Sequence, residues 1–205
     1  MTENTTLGRK NGTKQKILKV STTLFSELGY RGASIRKIAK EVGIRESAIY
    51  NHYASKEEIF LDVAKDIFSS PFSSKDLNIQ EEALKGKGFV QNFTMQYKLL
   101  AFDKSSEKMF RLLMIELFAN KELREQFMSE FHAKNIKVLS EAFFIMMQNS
   151  IIKSQDPMMI SYEFLSTLFY IRLQITLMRF DNDSTTALST IFEKHVEFFW
   201  DSIKI

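Results

Sequence analysis

Residues 34–56 read SIRKIAKEVGIRESAIYNHYASK, two short apolar-periodic segments joined through Val42-Gly43-Ile44 and carrying Arg36, Lys37, Lys40, Arg45, His52 and Lys56. Ser34 can cap a helix on which Ile35, Ile38, Ala39 and Val42 form one stripe, and Gly43 can end it by taking the left-handed conformation without a Cβ clash. A third short helix is expected over 46–53, resting Ala48, Ile49 and Tyr53 on its neighbours. Ser55 then caps a longer helix with Glu57 and Glu58 in its first turn, where the helix dipole favours acids. Upstream, Ile17, Val20, Leu24, Phe25 and Leu28 repeat at helical spacing, which predicts an amphipathic helix over 13–28 that Gly29 terminates. Two short helices across a glycine turn, braced by a longer first helix, describe a helix-turn-helix, whose second helix lies in the major groove of DNA. The apolar residues fold the unit, and the basic and hydroxyl groups are left for phosphate.

Charge agrees with that division of labour. The net charge is +3, but residues 1–56 hold eleven Lys/Arg against four Asp/Glu, whereas the remainder holds seventeen against twenty-one. A basic N-terminal quarter at +7 attached to a larger part at −4 suggests a polyanion-binding module joined to a regulatory or assembly module. With 205 residues, 44% hydrophobic, seven Gly and two Pro, the chain reads as strongly helical. The first residues lack the apolar core of a signal peptide, and the longest Leu/Ile/Met/Phe run, Phe143 to Met147, is too short to span a bilayer; the expectation is a cytoplasmic protein without a membrane partner. Zero Cys removes disulfides and thiolate chemistry.

The segment from about Lys14 to Phe60 closely resembles the TetR family of bacterial transcriptional repressors. The resemblance rests on Phe-x-x-x-Gly-Tyr (25–30), Ser-Ile-x-x-Ile-Ala-x-x-x-Gly (34–43), Ile-Tyr-x-His-Tyr (49–53) and Ser-Lys-Glu-Glu-Ile-Phe (55–60). It implies a homodimer bound to a double-stranded, palindromic operator, with a C-terminal domain that takes a small effector and releases the DNA. Residues 1–56 are then the DNA-binding domain, with 1–12 expected to be mobile. Residues 57–205 are the effector-binding and dimerisation domain, with helix 55–69 as connector. By the same resemblance Ser34 offers its hydroxyl to a phosphate oxygen, Tyr50 and His52 touch the backbone, and Lys56 neutralises a phosphate. Arg36 is placed for a guanine edge or a phosphate, Asn51 for a base, and Arg45, Glu46 and Ser47 occupy the exposed first turn of the third helix. Arg45 is a poor cap. Glu46 either accepts from a cytosine amino group or pairs with Arg45 or Arg36.

The rest of the chain reads as all-α, with helices near 79–101, 104–119, 121–149, 157–180 and 185–203 and a possible kink at Gly86 or Gly88. The last two helices are apolar over more than one face, which predicts an isologous four-helix dimer interface through Phe164, Leu168, Ile191, His195, Phe198 and Phe199. Nineteen Phe and ten Met suggest a pocket for an apolar or aromatic effector, with Phe89, Phe93, Tyr97, Phe110, Met114, Phe127, Phe131 and Phe169 as candidates. Arg172 interrupts the most apolar helix, either to anchor an acidic effector or to reach a carboxylate such as Glu163 across the interface. Enzymatic signals are weak: His52, His132 and His195 stand apart, no cofactor motif is present, and Gly86-Lys87-Gly88 is too short for a phosphate loop. The rival reading is a helical protein-interaction module whose basic face is merely solvated.

Overall fold

In a computed structural model the backbone is described over residues 3–68 and 78–205, with side chains from Gly12 onward except that of Asp66. The chain forms two compact units. One holds the chain up to Phe68 together with Lys108–Gln126; the other holds the chain from Asn78 to Glu107 together with Phe127–Ile205. The helix that follows residue 56 packs back on the first helix and takes Ile59, Phe60 and Val63 into the core of the first unit.

In the first unit, α1 (Glu3–Gly32) begins well before residue 13, so the segment expected to be mobile is helical from Glu3. Gly29 breaks its geometry as expected, with φ 70° and ψ 171°. α2 (Ile35–Val42) is capped by Ser34, whose hydroxyl accepts the Lys37 N–H at 3.2 Å. It ends at left-handed Gly43 (φ 79°), with the Gly43 and Ile44 N–H groups both bonded to Ala39 O. α3 (Glu46–Ile49) is half the expected length; residues 50–52 form a turn that lets Tyr53 enter the core. Arg45 supplies no side-chain cap to it. α4 (Lys56–Phe68) starts on Ser55, which accepts the Glu58 N–H at 3.1 Å while the Glu58 carboxylate accepts from Ala54 N–H. The connector expected to run through Ser69 is described as far as Phe68. Ile17, Phe25, Ile38, Val42, Ile49 and Phe60 form the core, with the Phe25 and Phe60 rings edge to face at 5.2 Å. The later part of α7 (Lys104–Leu117) and α8 (Lys121–Gln126) complete this unit, where Asn120 caps α8 and donates to Glu57 Oε1 at 2.8 Å.

In the second unit the helix expected over 79–101 is two helices, α5 (Ile79–Leu84) and α6 (Lys87–Phe102), split at Gly86, whose φ of 55° is accessible to glycine without strain. The helix expected over 121–149 contains a π-helical stretch, Phe127–Ala133, before α9 (Lys134–Gln148). α10 (Pro157–Phe180) opens on Asp156, which accepts the Met158 and Met159 N–H groups, with proline at its first position. α11 (Thr186–Ile203) closes the chain. α10 packs on α9, α6 and α11, α5 on α9, and α6 on α11. Phe93, Phe143, Phe164 and Phe199 meet in the middle, Phe164 lying 5.9 Å from Phe93 and 4.7 Å from Phe199 between ring centroids.

Candidate DNA interface and effector groove

The polar side of the first unit is assembled by its caps. Because Ser34 and Gly43 fix both ends of α2 and Ile49 pins α3 to it, the polar residues between them are forced outward. Ser34, Arg36, Arg45, Glu46, Ser47, Tyr50 and Asn51 are all exposed, and His52 is half-buried. Ser34 spends an oxygen lone pair on its cap, yet its O–H remains available to donate to a phosphate. Glu46 Oε1 lies 4.0 Å from Arg36 Nε, both side chains being largely in solvent. An exposed pair of that kind contributes about 0–1 kcal/mol, so it restrains Arg36 more than it stabilises the fold. Lys56, expected at a phosphate, also has partners within the domain. Its ammonium donates to Tyr30 O at 2.8 Å and Ala33 O at 3.1 Å and sits 4.1 Å above the Tyr30 ring, closing the carbonyl end of α1.

The expected pocket residues separate into groups. In the second unit, Phe127, Phe131 and Phe169 line a groove of about 230 Å³ together with Leu165, His132 and Tyr162. Phe127 and Phe131 stack at 5.1 Å and 19°, and Phe169 lies 5.5 Å from Phe131. The π-helical stretch sets that spacing, its wider turn stabilised by Asn135 Nδ2 donating to Phe131 O. At the rim His132 Nε2 and Tyr162 Oη are 3.0 Å apart. Tyr97 is 6.2 Å from Phe131, and Arg172 lies 5.7 Å from the Tyr97 ring, buried and bonded to Ser106 Oγ at 3.3 Å. Arg172 therefore faces the interior of its own unit rather than its surface. Phe89 and Phe93 belong instead to the core beside Phe164, and Phe110 and Met114 belong to the first unit. Tyr162, Ser106 and Glu107 were not singled out as pocket residues, because single polar residues on helices carry no periodic signal until the docking of α10 buries or aligns them.

The expected interface set also needs correction. Phe164, Leu168 and Phe199 are buried within the protomer, whereas Phe198 is 77% exposed and Ile191 38%. His195 is half-buried, stacked on Phe164 at 5.3 Å with Nε2 3.3 Å from Phe164 O, and burial pushes its pKa down. The exposed part of this face continues through Tyr162, Tyr170 and Leu177 on α10. Among the described residues no three His, Asp or Glu side chains converge as for a metal ion, and no helix is long and apolar enough to cross a membrane.

A glycine-ended, serine-capped helix pair that presents Arg36, Arg45, Ser47 and Asn51 to solvent has the form of a helix-turn-helix, and the described residues around it are helical. Residues 17–63 match the model of the bacterial regulatory proteins of the tetR family. The biofilm operon icaADBC negative transcriptional regulator IcaR of Staphylococcus epidermidis is 41% identical over 56 residues, 27% of this chain and 30% of that protein. The chain thus spans less than a third of the length of such curated relatives. The fold likeness extends further. A TetR-family regulator from Mesorhizobium loti superposes with a TM-score of 0.76 at 19% identity over 96% of this chain and 99% of that one. The flavonoid-responsive regulator FrrA does so with a TM-score of 0.67 at 21% identity, over 96% and 98%.

Proposed function

We propose that this protein is a transcriptional regulator that binds a palindromic operator as a homodimer and is released from it, as a repressor, by a small apolar or aromatic effector held in the second unit. The observation that carries the reading is the outward projection of Arg36, Arg45, Ser47, Tyr50 and Asn51 from a domain whose family match covers those same residues. The groove bounded by Phe127, Phe131 and Phe169 supports the effector part, since stacked aromatic walls suit a planar apolar ligand. The likeness to a flavonoid-responsive regulator agrees with an aromatic ligand. The exposed Phe198, Tyr170 and Leu177 on the last two helices support a homodimer, because large apolar side chains left in solvent gain by burial against a partner.

Release needs only a differential affinity. An effector that couples to DNA binding by about 1–3 kcal/mol lowers operator affinity 5- to 150-fold, and the operator must weaken effector binding by the same factor. Selection of bound duplexes from a random pool, followed by calorimetry of an effector with and without the selected duplex, tests the whole reading. The expected result is a two-fold symmetric site and unequal effector affinities. A protein-interaction module would instead enrich no sequence and show no salt-dependent binding to duplex DNA.

A further inference from the structure

The second unit holds a group of polar side chains removed from water that neither the DNA face nor the core requires. Tyr97 on α6, Ser106 and Glu107 in the first turn of α7, and Arg172 and Thr176 one turn apart on α10 are all buried. The Arg172 guanidinium donates to Ser106 Oγ and lies over the Tyr97 ring, and the Glu107 carboxylate favours its charge. Two atoms in this group, Glu107 Oε1 and Thr176 Oγ1, are buried without a hydrogen-bond partner, and Tyr97 Oη, which the Arg172 guanidinium engages, is buried with no acceptor for its own O–H. Burial pushes the Tyr97 phenol up to about 12, against the pull of Arg172, so at neutral pH it is an uncharged donor. Tyr97 also adjoins the groove, its ring 6.2 Å from that of Phe131.

We propose that this cluster is the polar end of the effector site, and that it selects an aromatic compound bearing a neutral hydroxyl group over one bearing a carboxylate. The proposal rests on the reading of the aromatic groove as the effector site. Two features carry it. First, the unmet groups are two hydroxyl donors and one carboxylate acceptor, and a hydroxyl offers two lone pairs and one proton. Second, the formal charges of Arg172 and Glu107 already cancel. An anionic ligand would leave a net negative charge in a dry site beside Glu107, and a cationic one a net positive charge beside Arg172. Charge balance therefore argues against the acidic effector that an inward-facing arginine suggests when considered alone.

The test is calorimetry on the full chain at neutral pH with three probes of one shape: naphthalene, 2-naphthol and 2-naphthoate. The hydroxyl probe is expected to bind at least about tenfold more tightly than either of the others, the worth of one or two well-made buried hydrogen bonds. The double variant Tyr97→Phe/Thr176→Val removes two oxygens with little change of shape. It is expected to bring 2-naphthol down to the affinity of naphthalene while leaving naphthalene unchanged, and Glu107→Gln is expected to improve 2-naphthoate. Binding of 2-naphthoate as tight as that of 2-naphthol overturns the proposal, as does an equal loss for both neutral probes in the double variant. Three equal affinities would keep the groove and remove the polar subsite, a buried water then meeting these atoms. No binding of any probe would remove both.

Discussion

Lys56 Nζ donates to the backbone carbonyl of Tyr30 at 2.8 Å, so a cation placed for phosphate by family resemblance also closes the end of the first helix. A partly buried hydrogen bond from a charged donor contributes about 1.5–3 kcal/mol, and Ala33 O is a second acceptor. Lys56→Met, which keeps the apolar stem, is expected to lower unfolding stability by about 1–3 kcal/mol in urea titration. Unchanged stability with weaker operator binding would return Lys56 to the phosphates.

Glu46 should act on DNA binding and scarcely on stability. Its pair with Arg36 is exposed, so Glu46→Gln is expected to shift stability by less than about 1 kcal/mol. Removing a negative charge from an anion-facing surface frees Arg36 for phosphate. Affinity for non-specific duplex should rise several-fold at low salt and its logarithmic salt slope should steepen by up to about one. Fluorescence anisotropy across a salt series reads this directly; an unaltered slope would mean that Arg36 does not reach the backbone.

Phe198 and Phe199 are neighbours in sequence with opposite fates. Phe199 is buried against Phe164 and Phe143, so Phe199→Ala is expected to cost about 3–5 kcal/mol and to lower the thermal midpoint sharply. Phe198 projects from the face proposed to pair, so Phe198→Glu should leave protomer stability within about 0.5 kcal/mol yet shift sedimentation from dimer towards monomer. A Phe198→Glu dimer at low micromolar concentration would place the interface elsewhere.

His195 makes stability sensitive to acid. Burial is the main cause of its lowered pKa, only partly opposed by the Phe164 carbonyl. The unfolded chain therefore takes up this proton first, near the ordinary value of 6.5, and stability falls as pH drops below that value towards the lower folded pKa; above it this group has no effect. Denaturant titrations between about pH 5 and 8 should show the loss in the wild type and a shallower dependence in His195→Gln. Parallel curves for the two proteins would assign the acid sensitivity to other groups.

The DNA-binding half was legible in the sequence because its determinants are local. Ser34, Gly29, Gly43 and Ser55 act on residues within four positions of themselves, so caps, glycine breaks and apolar spacing announce α2 and the start of α4 without reference to the rest of the chain. The long helices α10 and α11 were legible for a related reason, since their periodic apolar content is averaged over many turns. What only the tertiary structure decided is which side of an all-round apolar helix looks inward. Sequence periodicity could not separate buried Phe199 from exposed Phe198, or tell that Arg172 turns towards Ser106 and Tyr97, because those choices depend on which neighbouring helix covers each face. The π-helical stretch behind the aromatic groove was hidden for the same reason: its widened turn answers to Asn135 and the stacked Phe127 and Phe131 rings, whose placement comes from packing rather than from propensity.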